Sequence, residues 1–370
     1  MRLPEVQNDK ILALLTSGHE ENVELAFQLC IGLEGTYNEE VRQKIRSFPL
    51  KCVQNHLEPK FTQALTSLDL SYQYLSELPP EIAYFPRLQV LEMNQNELQA
   101  LPQEFGALNK LKELAMWDNF FTDLPPVIGQ LESLEVLSLD GNQLDTLPQA
   151  FAQLKNLTEL YLADNRFMQF PQAALALPQL EKIALSGNDI ESLSTDIASL
   201  QNLRWLDLRD NILDTLPEAF TQLGALVYLD MSKNELSELP QTLGKLHNLR
   251  YLSLWSNTLF RLPESLANLQ KLQHLNLRDN HFDEIPASIF QLNHLEELHL
   301  YRNKLSEIPA DIEQLQNLKL LNLGVNPIKN LPEEIANLPR LKKLFLKNTD
   351  IDIDTQRQIK AWLPNCEIDF

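Results

Sequence analysis

The sequence predicts an α/β solenoid: about thirteen short parallel strands on one face, joined by helical or 3₁₀ returns, with a helical segment in front. Two observations carry that prediction. Leu returns every 23 residues from Leu65 to Leu341, thirteen times without an insertion or deletion. Each return opens the pattern LxxLxLxxN, with the Asn present at eleven of the thirteen copies (Asn96 to Asn326) and replaced by Gln73 and Thr349 at the ends. A 370-residue chain would ordinarily suggest two or three globular domains, but an internal repeat overrides that expectation.

The strand comes from the spacing LxL, as in Leu206 and Leu208, which places both side chains on one face of an extended segment. The same segment one repeat later would pair with it in parallel. The Asn that follows carries both donors and an acceptor, so its amide can satisfy backbone groups where the chain bends away from the ladder. The second half of each unit reads LxxLPxxΦxxL, as in Leu98, Leu101, Pro102, Phe105 and Leu108. Apolar steps of three suit a 3₁₀ or short α-helical return, and Pro is tolerated where a helix begins. Ser194 is the one residue that replaces that Pro in the first twelve units. No single coil can bury its own Leu stripe, so the coils must stack.

The full pattern LxxLxLxxNxLxxLPxxΦxxLxx resembles the leucine-rich-repeat family in its 23-residue class, similar to Ras-suppressor-type and many bacterial members. The resemblance covers residues 65–363, about four-fifths of the chain. It implies a right-handed horseshoe whose inner, concave face is a parallel sheet that binds a protein or peptide. It does not name the partner.

The two ends depart from the repeat. Residues 1–64 read as a helical N-terminal cap. Val23, Ala26, Phe27, Cys30 and Ile31 fall on one helical face, Ile11 to Leu15 mark an earlier helix closed by Gly18, and Val41, Ile45 and Phe48 a third stopped by Pro49. The same helices also resemble a stray pair from a helical repeat array that binds something itself. The repeats run over 65–354, and residues 355–370 read as a C-terminal cap. That cap is a helix from about Thr355 to Leu363, with Ile359 and Trp362 facing the last coil, then a short edge strand in which Cys366 is buried.

Composition narrows the partners. A net charge of −20 argues against nucleic acid and an anionic membrane, since either needs a basic face. Residues 65–272 carry 13 Lys/Arg against 27 Asp/Glu, while residues 273–370 carry 11 against 15, so the C-terminal third is less acidic. Three cysteines are too few for a disulfide framework, and neither a signal peptide nor a membrane span is visible, so a cytoplasmic monomer is expected.

No motif for phosphate binding, nucleophilic catalysis or zinc stands in the sequence, so neither an enzyme nor a cofactor is expected. His274 and His299 share the strand face two columns apart; two His alone read as surface hydrogen-bonding groups, with a two-ligand site the rarer alternative.

The informative residues are the outward positions of LxxLxLxxN. The third column gives Trp205, Tyr228, Tyr251 and His274, and the seventh gives Trp255, Arg278 and Tyr301. Trp117, Tyr161, Arg209 and Arg302 occupy further outward slots, the last two in the units of Trp205 and Tyr301. Aromatics suit strands and stabilise one another across a ladder, but Trp, Tyr and Arg are also what binding hot spots use. These eleven residues are the expected partner-binding surface of a protein-interaction scaffold. The alternative is the sensor arm of a signalling assembly whose catalytic domain lies on another chain.

Overall fold

The computed structural model describes residues 3–370. The chain forms two compact units, one running to Ser138 together with Pro148–Leu157, the other comprising Leu139–Leu147 and Thr158–Phe370.

In the first unit four strands, β1 Ser67–Asp69, β2 Val90–Glu92, β3 Glu113–Ala115 and β4 Val136–Ser138, pair in parallel in chain order. The second unit holds ten: β5 Glu159–Tyr161, β6 Lys182–Ala184, β7 Trp205–Asp207, β8 Tyr228–Asp230, β9 Tyr251–Ser253, β10 His274–Asn276, β11 Glu297–His299, β12 Leu320–Asn322, β13 Lys343–Phe345 and β14 Glu367–Asp369. They too pair in parallel and in order. The fourteenth strand is the edge strand expected after the last repeat, seated against β13 with Ile368 opposite Leu344. In each three-residue strand the middle residue turns inward between two outward neighbours, Leu everywhere except β6 and β14, where it is Ile183 and Ile368. Leu206, Leu229 and their equivalents are buried, except Ile368 of the edge strand, which is half-buried. The returns are 3₁₀ turns, such as Glu218–Gln222 after β7 with Phe220 buried beneath it. Ser194, which stands where other units have Pro, accepts a hydrogen bond from Asp196 N at 3.2 Å and so caps its own turn.

The Asn of each coil reaches into the coil before it. Asn234 donates from Nδ2 to the carbonyls of Leu208 (2.9 Å), Met231 (3.1 Å) and Ser232 (3.2 Å), while its Oδ1 accepts from Leu213 N (3.0 Å). Asn257, Asn280, Asn303 and Asn326 repeat that set. The residue just before each Asn position is left-handed in all thirteen coils, from Tyr72 to Asn348, with φ between 51° and 66°. Only Gly141 and Gly187 are glycine there. Val325, a β-branched residue for which this region is costly, adopts φ 54° because its N–H must reach Lys347 O at 2.8 Å.

In front of β1 the first unit has five helices rather than the three that periodicity suggests: α1 Leu3–Leu15, α2 Glu20–Gly32, α3 Glu39–Ile45, α4 Pro49–Gln54 and α5 Pro59–Thr62. Pro49 starts a helix instead of merely ending one, which its missing N–H allows. Val23, Ala26, Phe27 and Cys30 of α2 are buried with Ile11, Leu15, Val41 and Ile45, but Ile31 is exposed. Burial pushes the Cys30 thiol up to about 11 and the Cys52 thiol up to about 12. α4 packs against the return Pro80–Tyr84 of the first repeat. At the other end α6 spans Ile353–Trp362, with Ile359 buried and Trp362 half-buried. Cys366 is half-buried rather than buried, because it lies on the turn before β14 and not in the strand.

Glu58 ties the N-terminal helices together. Its nearly buried carboxylate accepts from Tyr37 Oη (3.1 Å), Arg42 Nε (3.0 Å) and Arg46 Nε and Nη2 (3.0 and 2.6 Å). Burial raises its pKa, but the hydrogen bonds from Arg46, Arg42 and Tyr37 outweigh that and leave it below the ordinary glutamate range.

Two outcomes are expected. Asn234→Ala orphans Leu213 N and takes one of two donors from each of three carbonyls, which keep Asn211, Asn257 and Asp210 N, so it should cost about 1–3 kcal/mol in chemical denaturation, and Asn234→Asp at neutral pH should cost at least as much by setting a carboxylate against those carbonyls. Glu58→Gln should destabilise the protein by about 2 kcal/mol at pH 7. Because the folded pKa is depressed, the Glu58 contribution is present above pH ~4.3 and disappears as the pH falls below it, so melts of the two proteins should converge in acid.

Candidate functional site

The third-column residues form one continuous stack in the second unit. Trp205 and Tyr228 lie 5.0 Å apart at 12°, Tyr228 and Tyr251 4.4 Å at 8°, and Tyr251 and His274 4.5 Å at 8°. His299, from the fifth column, closes the row 5.0 Å from His274 and tilted by 42°. Strands repeat at ~4.8 Å, close to the natural stacking distance of rings, so the sheet sets the stack's spacing. Each ring is half-buried. Because the planes are nearly parallel, the faces of Tyr228 and Tyr251 are covered by their neighbours. What the stack offers outward is ring edges, hydroxyls and imidazole nitrogens.

At its lower end Lys182 Nζ sits 4.6 Å from the Trp205 ring and 4.8 Å from Tyr161, joining the two rings through a cation. A second row runs beside the first along the seventh column. Lys233 lies over Trp255 at 5.7 Å, and Arg278 lies between Trp255 (5.3 Å) and Tyr301 (4.6 Å). Trp255 Nε1 is buried and finds no acceptor among the described residues.

An acidic pair underlies the rows. Asp207 and Asp230 face each other across β7 and β8 and are almost fully buried. Arg209 forks onto Asp207 through Nε (3.0 Å) and Nη2 (2.8 Å), and its Nε stands 3.8 Å from Asp230. Asp230 also accepts from Ser232 N and Oγ, and Ser232 Oγ meets Ser253 Oγ at 2.6 Å. Two buried carboxylates share one guanidinium, and burial raises the Asp230 pKa while the Ser232 bonds hold it back. Burial also raises the Tyr228 hydroxyl, with the charge of Asp230 adding to it.

Of the eleven residues singled out from the sequence, Tyr161, Trp205, Tyr228, Tyr251, Trp255, His274, Arg278 and Tyr301 therefore belong to the two rows. Arg209 belongs to the acidic pair. Arg302 is exposed, its guanidinium 3.6 Å from Asp279. Trp117 belongs to the first unit, where it meets the Tyr72 ring edge-on at 6.4 Å. Lys182 and Glu297 were not among the eleven; both occupy the third column, one position beyond either end of the ring run, which was the available signal.

Two clefts, of about 530 Å³ beside Glu238, Arg261 and Glu264 and about 550 Å³ beside Cys52, His56 and Tyr84, lie off these rows.

Family models for a leucine-rich repeat region match residues 50–160 and 238–305, and a model for the leucine rich repeat matches 178–236 and 293–351. The chain belongs to the leucine-rich-repeat family. Among solved structures it is similar to a leucine-rich-repeat protein of Leptospira interrogans, at 32% identity over 86% of this chain and 98% of that one, with a TM-score of 0.59. A TDR receptor is 31% identical over 82% of this chain and 54% of its own, with a TM-score of 0.70. An internalin from Listeria monocytogenes shares the fold at 23% identity, over 84% and 88% of the two chains, with a TM-score of 0.74. No curated protein matches. Among the described residues no helix of this leucine-rich-repeat chain is long and apolar enough to cross a membrane.

Tyr228→Ala removes two stacked neighbours, each about 0.5–1.5 kcal/mol, and should lower stability by about 1–3 kcal/mol. Tyr228→Phe keeps the stack and should melt within about 1 kcal/mol of the native protein. Equal melts for Tyr228→Ala and the native chain would show that the rings do not support the sheet.

Proposed function

We propose that this chain is a non-enzymatic interaction module that docks a protein or peptide partner on the outward face of its strands, between Tyr161 and Tyr301. The leucine-rich-repeat fold generally mediates protein–protein contacts, and its members are typically binding scaffolds rather than enzymes. The observation that carries the proposal is the pair of ring-and-cation rows side by side on one face. The first row explains itself as sheet support. The second does less for the sheet, since its rings are separated by an arginine, yet it keeps a Trp, an Arg and a Tyr half or wholly exposed. Those three residue types concentrate binding energy at interfaces. A partner covering this face would meet rings edge-on, cations between them and the acidic pair beneath.

The test separates binding from folding. A partner captured with the native chain is titrated against Trp255→Ala and Tyr301→Ala, with Glu333→Ala on a return turn as control. Each aromatic change should weaken binding by about 2 kcal/mol or more, about thirtyfold, while shifting stability far less. Unchanged affinity in both variants, with the native chain still binding, would move the interface off this face.

A further inference from the structure

The upper end of the ring stack brings together three side chains of metal-ligating type. His274 and Glu297 are register partners on β10 and β11, and His299 lies two residues beyond Glu297 on the same side of β11. His274 Nδ1 is 2.8 Å from Glu297 Oε2, and His299 Nε2 is 3.6 Å from the same oxygen, beyond hydrogen-bonding distance. One donor atom from each residue lies within 4.8 Å of the others, and among the described residues no other such group of three converges. His299 Nε2 is buried with no hydrogen-bond partner among the described residues. A buried ring nitrogen facing a carboxylate it does not bond is a group left for a ligand.

We infer that His274, Glu297 and His299 form a binding site for a borderline divalent transition-metal ion, Zn²⁺ foremost. Two imidazole nitrogens and one carboxylate oxygen are a zinc donor set, whereas Ca²⁺ and Mg²⁺ require mostly oxygen. Tetrahedral ligands at zinc's bond lengths of about 2.0–2.2 Å stand roughly 3.3 Å apart. The two separations from Glu297, 2.8 and 3.6 Å, straddle that value, and the third, between the imidazoles, is within 4.8 Å, so side-chain rotations that draw the two rings together complete the site. Both histidines come from strands, which hold them more firmly than loops would. The charge of Arg278 at His299 opposes a cation, and the Glu297 carboxylate, 2.8 and 3.6 Å from the two imidazoles, supplies the compensating charge. Three protein ligands leave a fourth position on the solvent side, because Glu297 is the most exposed of the three.

The experiment is a calorimetric titration of tag-free full chain with Zn²⁺ in a non-chelating buffer, repeated with Co²⁺ as a spectroscopic substitute. One ion per chain should bind, and Co²⁺ should give the visible absorption of a nitrogen-ligated ion. His299→Ala and Glu297→Gln should each lower the affinity by about tenfold or more and abolish the Co²⁺ band. His247→Ala, on an exposed return turn, should change neither. Ca²⁺ and Mg²⁺ should give no saturable binding. The site is refuted if the native chain binds no Zn²⁺ saturably, or if both variants, melting like the native chain, bind it unchanged.

Discussion

A 23-residue coil has too little surface to enclose its own leucines, and every other feature answers to that shortage. Leu206 is buried only because Ile183 and Leu229 stand on either side of it in the ladder. The apolar contact is indifferent to a small slip along the strand, and the Asn amide is not. With three donor contacts and one acceptor contact at fixed heights, it converts a greasy stack into a register with one solution. Once that register is fixed, outward side chains must line up in columns, and columns make rings stack.

How far the sequence could be read follows from which residues answer to the period. The Leu slots, the strands, the Asn rungs and the 3₁₀ returns were legible because each is repeated many times, so a local ambiguity in one unit is resolved by the others. The helices before β1 occur once. There Pro49 reads as a stop, although it also serves as the first residue of α4, and α5 is too short to show periodicity at all. The left-handed column was hidden for a different reason. Its φ is imposed by N–H groups that must reach the next coil, so residues as unsuited as Val325 occupy it and composition gives no hint.

The candidate surface was half legible. Column arithmetic places Trp205, Tyr228, Tyr251 and His274 in one line without any coordinates. It cannot show that Lys182 and Arg278 fold over ring faces, because a long flexible side chain has several places to go and the choice depends on its neighbours. For the same reason His274 and His299 look like two isolated surface histidines until Glu297 is seen between them. The structure thus turns a list of exposed rings into two adjacent rows with an acidic floor.

The amide rungs point one way, each coil's Asn satisfying the turn of the coil before it. Removing or adding one whole unit therefore leaves every rung with something to hold, whereas a change of any other length leaves a turn unsupported. Such an array has a quantum of growth. Its length can be edited by duplication or loss of a unit during recombination, with the outward columns still in line afterwards. The length of the outward face can thus be altered separately from its chemistry, the first by counting units and the second by substituting single outward residues.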